Sequence, residues 1–252
     1  MKLKGHFKIY FEAVMFEVTS FAIPSEGTPE YEQLKENMGN SLFNENKSSH
    51  IAIKQSDKAL FIESKLFRPL SEIMNNIEAL ENISIYAASF TYKKQGISRI
   101  SYLRYHIENY LNELYILKNR LIAYLTLIER SYKKCGRKEH ISNELKPIYE
   151  IVSNSLGKYI NVRGAHVHQQ RYTDSEIDKL VELELLSTHS EGKYSNLMTH
   201  LYMENYKKIR QKWVGKMKND IIEVEKLTEI FFEKICNSII SNEKIIYPKN
   251  TK

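Results

Sequence analysis

The amino-acid sequence predicts an all-α protein, an up-and-down helical bundle with two long helices. Apolar residues recur at three- and four-residue steps along most of the 252-residue chain. Nine Gly and five Pro are too few for a turn-rich all-β protein. No strand–helix alternation is present, which excludes the parallel sheets that bind nucleotides. An apolar content of 42% is sufficient for a sizeable core.

The first 60 residues are predicted to form an appended segment of one helix and a polar connector. Pro24 ends the helix, and residues 25–58 are polar, with a short helix near 30–38. The bundle is expected over residues 61–245 and a tail over 246–252. The apolar face of the first helix consists of Phe7, Tyr10, Phe11, Val14, Met15, Val18, Phe21 and Ala22.

The bundle itself is predicted to start with a helix from about Pro69 toward Phe90. The strongest periodicity follows and predicts a helix from about Ser98 to Lys134. Its apolar residues are Leu103, Ile107, Tyr110, Leu114, Leu117, Leu121, Tyr124 and Ile128. The next helix is expected to start at Glu139 or Ser142, to contain Pro147 near its start and to end at Leu156, before Gly157.

Two more helices complete the prediction. Thr173 and Glu176 have the spacing of a capping box, so a helix should start near Asp174. The last long helix is predicted from about Tyr194 to Ile240. Its apolar face consists of Trp213, Met217, Ile221, Val224, Leu227, Phe231, Ile235 and Ile239.

A basic segment without any acidic residue lies between Glu150 and Asp174. We expect a loop there, at the positive N-terminal end of the following helix, where a phosphate is favoured. Its basic residues, histidines and tyrosines are Lys158, Tyr159, Arg163, His166, His168, Arg171 and Tyr172. The net charge of +6, from 37 basic and 31 acidic residues, is compatible with a polyanionic partner.

Arginine and histidine together suffice for RNA cleavage without a metal. Arginine offers a fixed fork of donors to a phosphate, and histidine exchanges protons near neutral pH. A base removes the proton of the ribose 2′-OH, an acid protonates the leaving 5′-oxygen, and a cation stabilises the charged phosphoryl oxygens. Arg163 and His168 are the candidates for these roles.

Arg163, four intervening residues and His168, within an all-helical chain, resemble the motif of the HEPN superfamily. Many members of that superfamily are metal-independent ribonucleases of toxin–antitoxin and phage-defence systems. The segment 101–110 is similar to the helix that precedes the motif in HEPN-like families. The resemblance covers roughly Pro69 to Ile240 and implies a homodimer with a composite cleft. An antitoxin is a candidate partner. Gly164 departs from the pattern, because a polar residue often follows the arginine.

Several other residues receive supporting roles in this hypothesis. Lys158, Arg171 and Tyr172 are candidates for RNA or phosphate contacts. His166 is a candidate for assisting proton transfer. The accessory residues expected to position the motif from the preceding helix are Arg104, Glu108 and Asn109.

Alternative interpretations remain open. Arg104 and Glu108, one turn apart, also have the spacing of an exposed ion pair. Arg99 and His106 match the motif spacing a second time, on one face of the long helix. A zinc site would need His166, His168 and distant ligands such as Glu108 or His140. Finally, the basic segment suits a non-catalytic module that binds RNA, a nucleotide or a partner protein.

The remaining features of the sequence concern the cellular compartment of the protein. Cys135 and Cys236 are too few for a disulfide framework. Lys8, Glu12 and Glu17 interrupt the first apolar stretch, which excludes a signal peptide or a membrane span there. We therefore expect a cytoplasmic protein that makes no membrane contact and needs no metal or organic cofactor.

Overall fold

The structure is a computed structural model that describes residues 3–22, 26–29, 31–33, 35–36, 56–89, 96–133, 137–168, 174–189 and 191–248. Within these ranges the side chains of residues 22, 138, 158, 160–168 and 193 are not described.

The described chain is an all-α helical bundle, as the sequence predicted. The helices are α1 (Gly5–Ala22), α2 (Asp57–Phe61), α3 (Arg68–Ala88), α4 (Arg99–Tyr132), α5 (Lys138–His168), α6 (Ser175–His189) and α7 (Lys193–Ile239). A π-helical turn, Ile62–Phe67, joins α2 to α3. In the described chain, no helix has the length and apolar character needed to cross a membrane.

The chain divides into two compact units. The first unit contains residues 73–123 and 147–228. Its core is built on α4, where Leu103, Ile107 and Leu114 are completely buried. The Tyr110 hydroxyl donates to the backbone carbonyl of Met217 at 3.1 Å, which joins α4 to α7. The parts of the predicted apolar faces of α4 and α7 that belong to this unit are therefore packing surfaces.

The second unit contains residues 3–72, 124–146 and 229–252 and has an aromatic core. Phe7 stacks on Phe232 with ring centroids 4.2 Å apart, and Tyr10 lies 5.2 Å from the same ring. The Tyr124 hydroxyl donates to the carbonyl of Leu66 at 3.1 Å. The α1 helix, predicted as part of an appendage, thus contributes its apolar face to this core.

The N-terminus of α1 is capped from a distance by Glu229. The carboxylate of Glu229 accepts from the backbone N–H of His6 at 2.8 Å and from that of Phe7 at 3.5 Å. Gly5 has a φ of +52°, and a Cβ there would collide with the Glu229 carboxylate. Glycine is therefore required where the chain enters the helix.

The prediction that a helix ends at Gly157 is wrong. The α5 helix runs through Pro147 and Gly157 to His168. A glycine inside a helix costs only about 1 kcal/mol relative to alanine, and Leu156 and Tyr159 on either side of Gly157 are buried. Their burial is enough to offset the cost of the glycine.

The start of α6 lies where it was predicted, but Asp174 is the capping residue. Its carboxylate accepts from the backbone N–H of Glu176 at 2.8 Å and from that of Ile177 at 3.4 Å. Thr173, which was expected to cap the helix, lies outside the described residues. After α7, strands β1 (Ile240–Ser241) and β2 (Lys244–Ile245) form a two-residue hairpin. The hairpin, which ends α7 at Ile239, was not predicted from the sequence.

Candidate functional site

The segment predicted as a basic loop is the C-terminal part of α5 as far as His168. The prediction of a loop is therefore wrong for residues 157–168. On an α-helix, residues five apart differ by about 140° in direction and about 7.5 Å in height. The backbone therefore turns the positions of Arg163 and His168 to different faces of α5. His166 is three residues from Arg163 and lies on the same side of the helix.

The side chains of four candidate residues, Lys158, Arg163, His166 and His168, lie outside the described part of the structure, and so do Arg171 and Tyr172 entirely. Their roles in catalysis and in RNA binding stay predictions.

Tyr159 shows what the neighbouring turn of α5 contacts. Tyr159 is 5% exposed and forms a hydrogen bond with Asp220 of α7. Burial, together with Asp220, raises the pKa of Tyr159 well above its ordinary value, so the phenol stays protonated. Tyr110 of α4 lies close enough for Tyr159 and Asp220 to raise its pKa as well, after burial. The position of Arg163, one turn beyond Tyr159, therefore follows directly after a contact of three helices.

Arg104 and Glu108 do not form the ion pair that their spacing suggested. The Arg104 Nη2 atom instead donates to the Oδ1 atom of Asp178 on α6, at 2.9 Å. The Arg104 side chain is only 19% exposed and extends toward α6, where it pairs with Asp178. The buried Nε atom of Arg104 and the buried Oε1 atom of Glu108 have no hydrogen-bond partner. Asn109, the third accessory candidate, is half-buried on α4.

Both unpaired atoms belong to residues that line a cavity of about 290 Å³ between α4 and α6. Its other lining residues are Ile100, Ser101, Tyr105 and Val181. The cavity thus combines a carboxylate, a guanidinium and a tyrosine on one side of α4.

A second cavity, of about 460 Å³, lies beside the first and shares Ser101 and Tyr105 with it. His106 lies at this cavity and is 8% exposed, and its Nδ1 atom has no hydrogen-bond partner. Burial lowers the pKa of His106, so the imidazole is neutral near pH 7. The signal of this site in the sequence is the pair of tyrosines four and one residues before His106.

The two residues of the second motif match have separate surroundings. The Arg99 guanidinium lies 5.9 Å from the ring centroid of Tyr206 on α7. The His106 ring instead makes an edge contact with Tyr102 at 4.4 Å. Arg99 and His106 are therefore held by different tyrosines.

No group of three metal-binding side chains occurs among the residues whose side chains are described. His166 and His168 are not among these, so the zinc alternative stays untested. His140, one of its distant ligands, is exposed near the start of α5.

Comparison of the chain with models of known protein families, with curated proteins and with solved structures gives no match. The resemblance to the HEPN superfamily therefore stays a prediction from the residues of the motif.

Proposed function

We propose that the protein is a HEPN-like, metal-independent endoribonuclease of the toxin or phage-defence type. The observation that carries the proposal is a set of desolvated polar atoms without partners on one stretch of α4: Arg104 Nε, His106 Nδ1 and Glu108 Oε1. Unpaired buried polar groups cost about 1–3 kcal/mol each, and such costs are concentrated at functional sites. This stretch is the one that resembles the helix preceding the HEPN motif.

The register of α5 supports a role for Arg163 beside this stretch. Tyr159 and Tyr110 mark the level at which α5 and α4 approach each other. Arg163 is about 6 Å further along α5, and Glu108 is about 3 Å from Tyr110 along α4. Both positions thus lie at about the level of the same contact, although Glu108, two residues from Tyr110, lies on nearly the opposite side of α4.

In the proposed mechanism His168 acts as the general acid or base on the 2′-OH or the leaving 5′-oxygen, and Arg163 stabilises the phosphoryl oxygens. Because one helix turns these two positions about 140° apart, we propose that a homodimer combines Arg163 of one protomer with His168 of its partner. Each protomer then supplies half of a composite site.

The same angular separation favours a second candidate function. A single protomer whose Arg163 and His168 do not reach one phosphate would bind RNA or a nucleotide without cleaving it. Such binding should weaken as salt rises and when Lys158, Arg163 or Arg171 is removed.

The test incubates the purified protein with labelled RNA in EDTA, beside Arg163→Ala and His168→Ala. The parent should leave 2′,3′-cyclic phosphate ends, and both variants should lose at least about 100-fold in rate. His140→Ala is the matched control, because it removes an exposed histidine from the same helix. Far-UV circular dichroism should show the same helical content in all four proteins.

Full activity of either site variant would contradict the assigned roles. If the parent shifts RNA in a gel but leaves it intact, the binding module is the correct function. Mixing Arg163→Ala with His168→Ala tests the composite site, since mixed dimers contain one intact pair and should regain part of the activity.

A further inference from the structure

The larger cavity, between the C-terminal part of α3 and the first turns of α4, is walled mainly by aromatic side chains. Its volume of about 460 Å³ falls within the range of about 300–1,000 Å³ of small-molecule sites. Its lining residues are Tyr86, Ile97, Ser101, Tyr102, Tyr105 and His106.

The tyrosines surround the imidazole of His106. Its ring centroid lies 4.4 Å from that of Tyr102, 5.4 Å from that of Tyr105 and 5.9 Å from that of Tyr86. The Tyr102 hydroxyl donates to the backbone carbonyl of Tyr86 at 3.1 Å and so fixes one wall. Tyr86 and Tyr105 are 50% and 61% exposed, so each keeps a free aromatic surface.

His106 provides a buried polar atom without a partner among these rings. The side chain is more than nine-tenths buried, yet its Nδ1 atom has no partner. A neutral imidazole nitrogen either donates or accepts a hydrogen bond, according to the tautomer. An aromatic site with one such nitrogen suits a flat heterocycle that carries its own donors and acceptors, whereas an aliphatic side chain would leave the nitrogen unpaired.

The smaller cavity extends the site across Ser101 and Tyr105. Glu108 contributes a carboxylate oxygen that has no partner, and carboxylate oxygens accept hydrogen bonds from hydroxyl groups. Arg104 is already paired with Asp178, so the three side chains together carry a net negative charge, which comes from Glu108. The smaller cavity therefore suits a sugar diol better than a phosphate.

We propose that the two adjoining cavities bind a nucleoside moiety, with the base among the tyrosines at His106 and the ribose hydroxyls toward Glu108. The nucleoside belongs either to single-stranded RNA or to a free nucleotide. If the nucleoside belongs to RNA, this proposal rests on the proposed function, and the site recognises a base of the RNA. If it belongs to a free nucleotide, the proposal is independent of that function.

Binding is measured by isothermal titration calorimetry of the full chain. The probes are the four nucleoside 5′-monophosphates with the parent, and a six-nucleotide single-stranded RNA and its DNA counterpart in the His168→Ala background. We expect at least one monophosphate or the RNA to bind. If the monophosphate and the hexamer have similar dissociation constants, the ligand is a free nucleotide. If only the hexamer binds, the ligand is RNA.

Two variants test the aromatic wall and the diol site. Tyr105→Ala should weaken binding by about 5- to 150-fold, the range for loss of one stacked base. Tyr194→Ala is the matched control, because Tyr194 is 70% exposed on α7 and lines neither cavity. Glu108→Gln should reduce the preference for ribose over deoxyribose, while base binding persists.

The proposal is overturned if no probe binds, or if Tyr105→Ala binds as tightly as the parent. Its failure is distinct from that of the ribonuclease function. RNA cleavage that persists alongside unchanged binding by Tyr105→Ala would refute the base site alone. Base binding that requires Tyr105, in a protein that cleaves no RNA, would refute the nuclease alone.

Discussion

In the aromatic core, two tyrosine hydroxyls share a hydrogen bond whose donor can be assigned, because each hydroxyl carries a single hydrogen. The Tyr124 hydroxyl donates to the Leu66 carbonyl, so its only hydrogen is used. The Tyr10 hydroxyl, 2.5 Å away, must therefore donate to the Tyr124 oxygen. Burial is the largest of the effects that raise the pKa of both phenols, so both remain neutral. Tyr124 is the central member of this chain of hydrogen bonds.

This order predicts unequal effects of removing the two hydroxyls. Tyr10→Phe removes one donor and should lower the free energy of unfolding by about 0.5–1.5 kcal/mol. Tyr124→Phe leaves the Tyr10 hydroxyl and the Leu66 carbonyl unpaired and should cost about 1–3 kcal/mol. Urea unfolding of both variants and the double variant measures the difference. Equal losses would contradict the assigned direction of donation.

At the level of single residues the sequence predicted burial well and partners poorly. All eight residues of the predicted apolar face of α4 are buried, because a helical period of apolar residues demands a covering surface. The partner of Arg104 was predicted wrongly, because a local spacing says nothing of Asp178, 74 positions away. The neutral His106 was also missed, since its burial depends on the packing of tyrosines from two helices.

Two helices, α1 and α6, begin with carboxylates that come from different distances along the chain. Asp174 caps α6 locally, whereas Glu229 caps α1 from 223 residues away. Negative charge is favoured at a helix N-terminus, where backbone N–H groups have no helical partner. The first kind of cap leaves a sequence signal next to its helix, and the second kind does not.

The Glu229 cap predicts a stability that depends on pH. Burial opposes ionisation, but the bonds from His6 and Phe7 outweigh it, and the pKa of Glu229 is lowered. The stabilisation is present above the ordinary glutamate pKa and is lost as pH falls through the lower pKa of the folded state. Glu229→Gln should cost about 0.3–1 kcal/mol at neutral pH. The cost should shrink below about pH 4.

Urea unfolding between pH 7 and pH 3 measures this cost. Glu225→Gln, one turn earlier on α7 and exposed, serves as the control and should change little at any pH. A cost for Glu229→Gln that stays constant into acid would show that its charge is not responsible.

The predicted end of α5 shows why helix boundaries are difficult to predict from the sequence. Gly157 is of a residue type that often ends a helix, yet the helix continues because Leu156 and Tyr159 are buried. The competition is between a backbone preference of about 1 kcal/mol and side-chain burial of about 1.5–3 kcal/mol. Only the second depends on other helices, so the candidate site was wrongly placed on a loop.

Over the whole molecule, four helices belong to both compact units. The divisions fall within α3 at residues 72 and 73, within α4 at 123 and 124, within α5 at 146 and 147, and within α7 at 228 and 229. Because a helix forms cooperatively, loss of one half destabilises the other half. We therefore expect the two units to unfold together.

One probe in each unit tests this expectation. Trp213 is 4% exposed in the first unit, and its fluorescence reports on that unit alone. Cys236 is buried in the second unit, and burial raises the pKa of its thiol to about 12, so it reacts slowly until exposed. In a Cys135→Ser variant, both signals should change at the same urea concentration. Midpoints more than about 0.5 M apart would show independent unfolding.

The π-helical turn at Ile62–Phe67 has a consequence for comparison with relatives. Its hydrogen bonds span five residues instead of four, so it holds one more residue than an α-helical turn would. Ile62 and Leu66 are nevertheless buried on either side of that extra residue. A relative that has a plain α-helix there should align with this chain only through a one-residue gap. The gap would fall in the middle of a helix, where alignments normally forbid one.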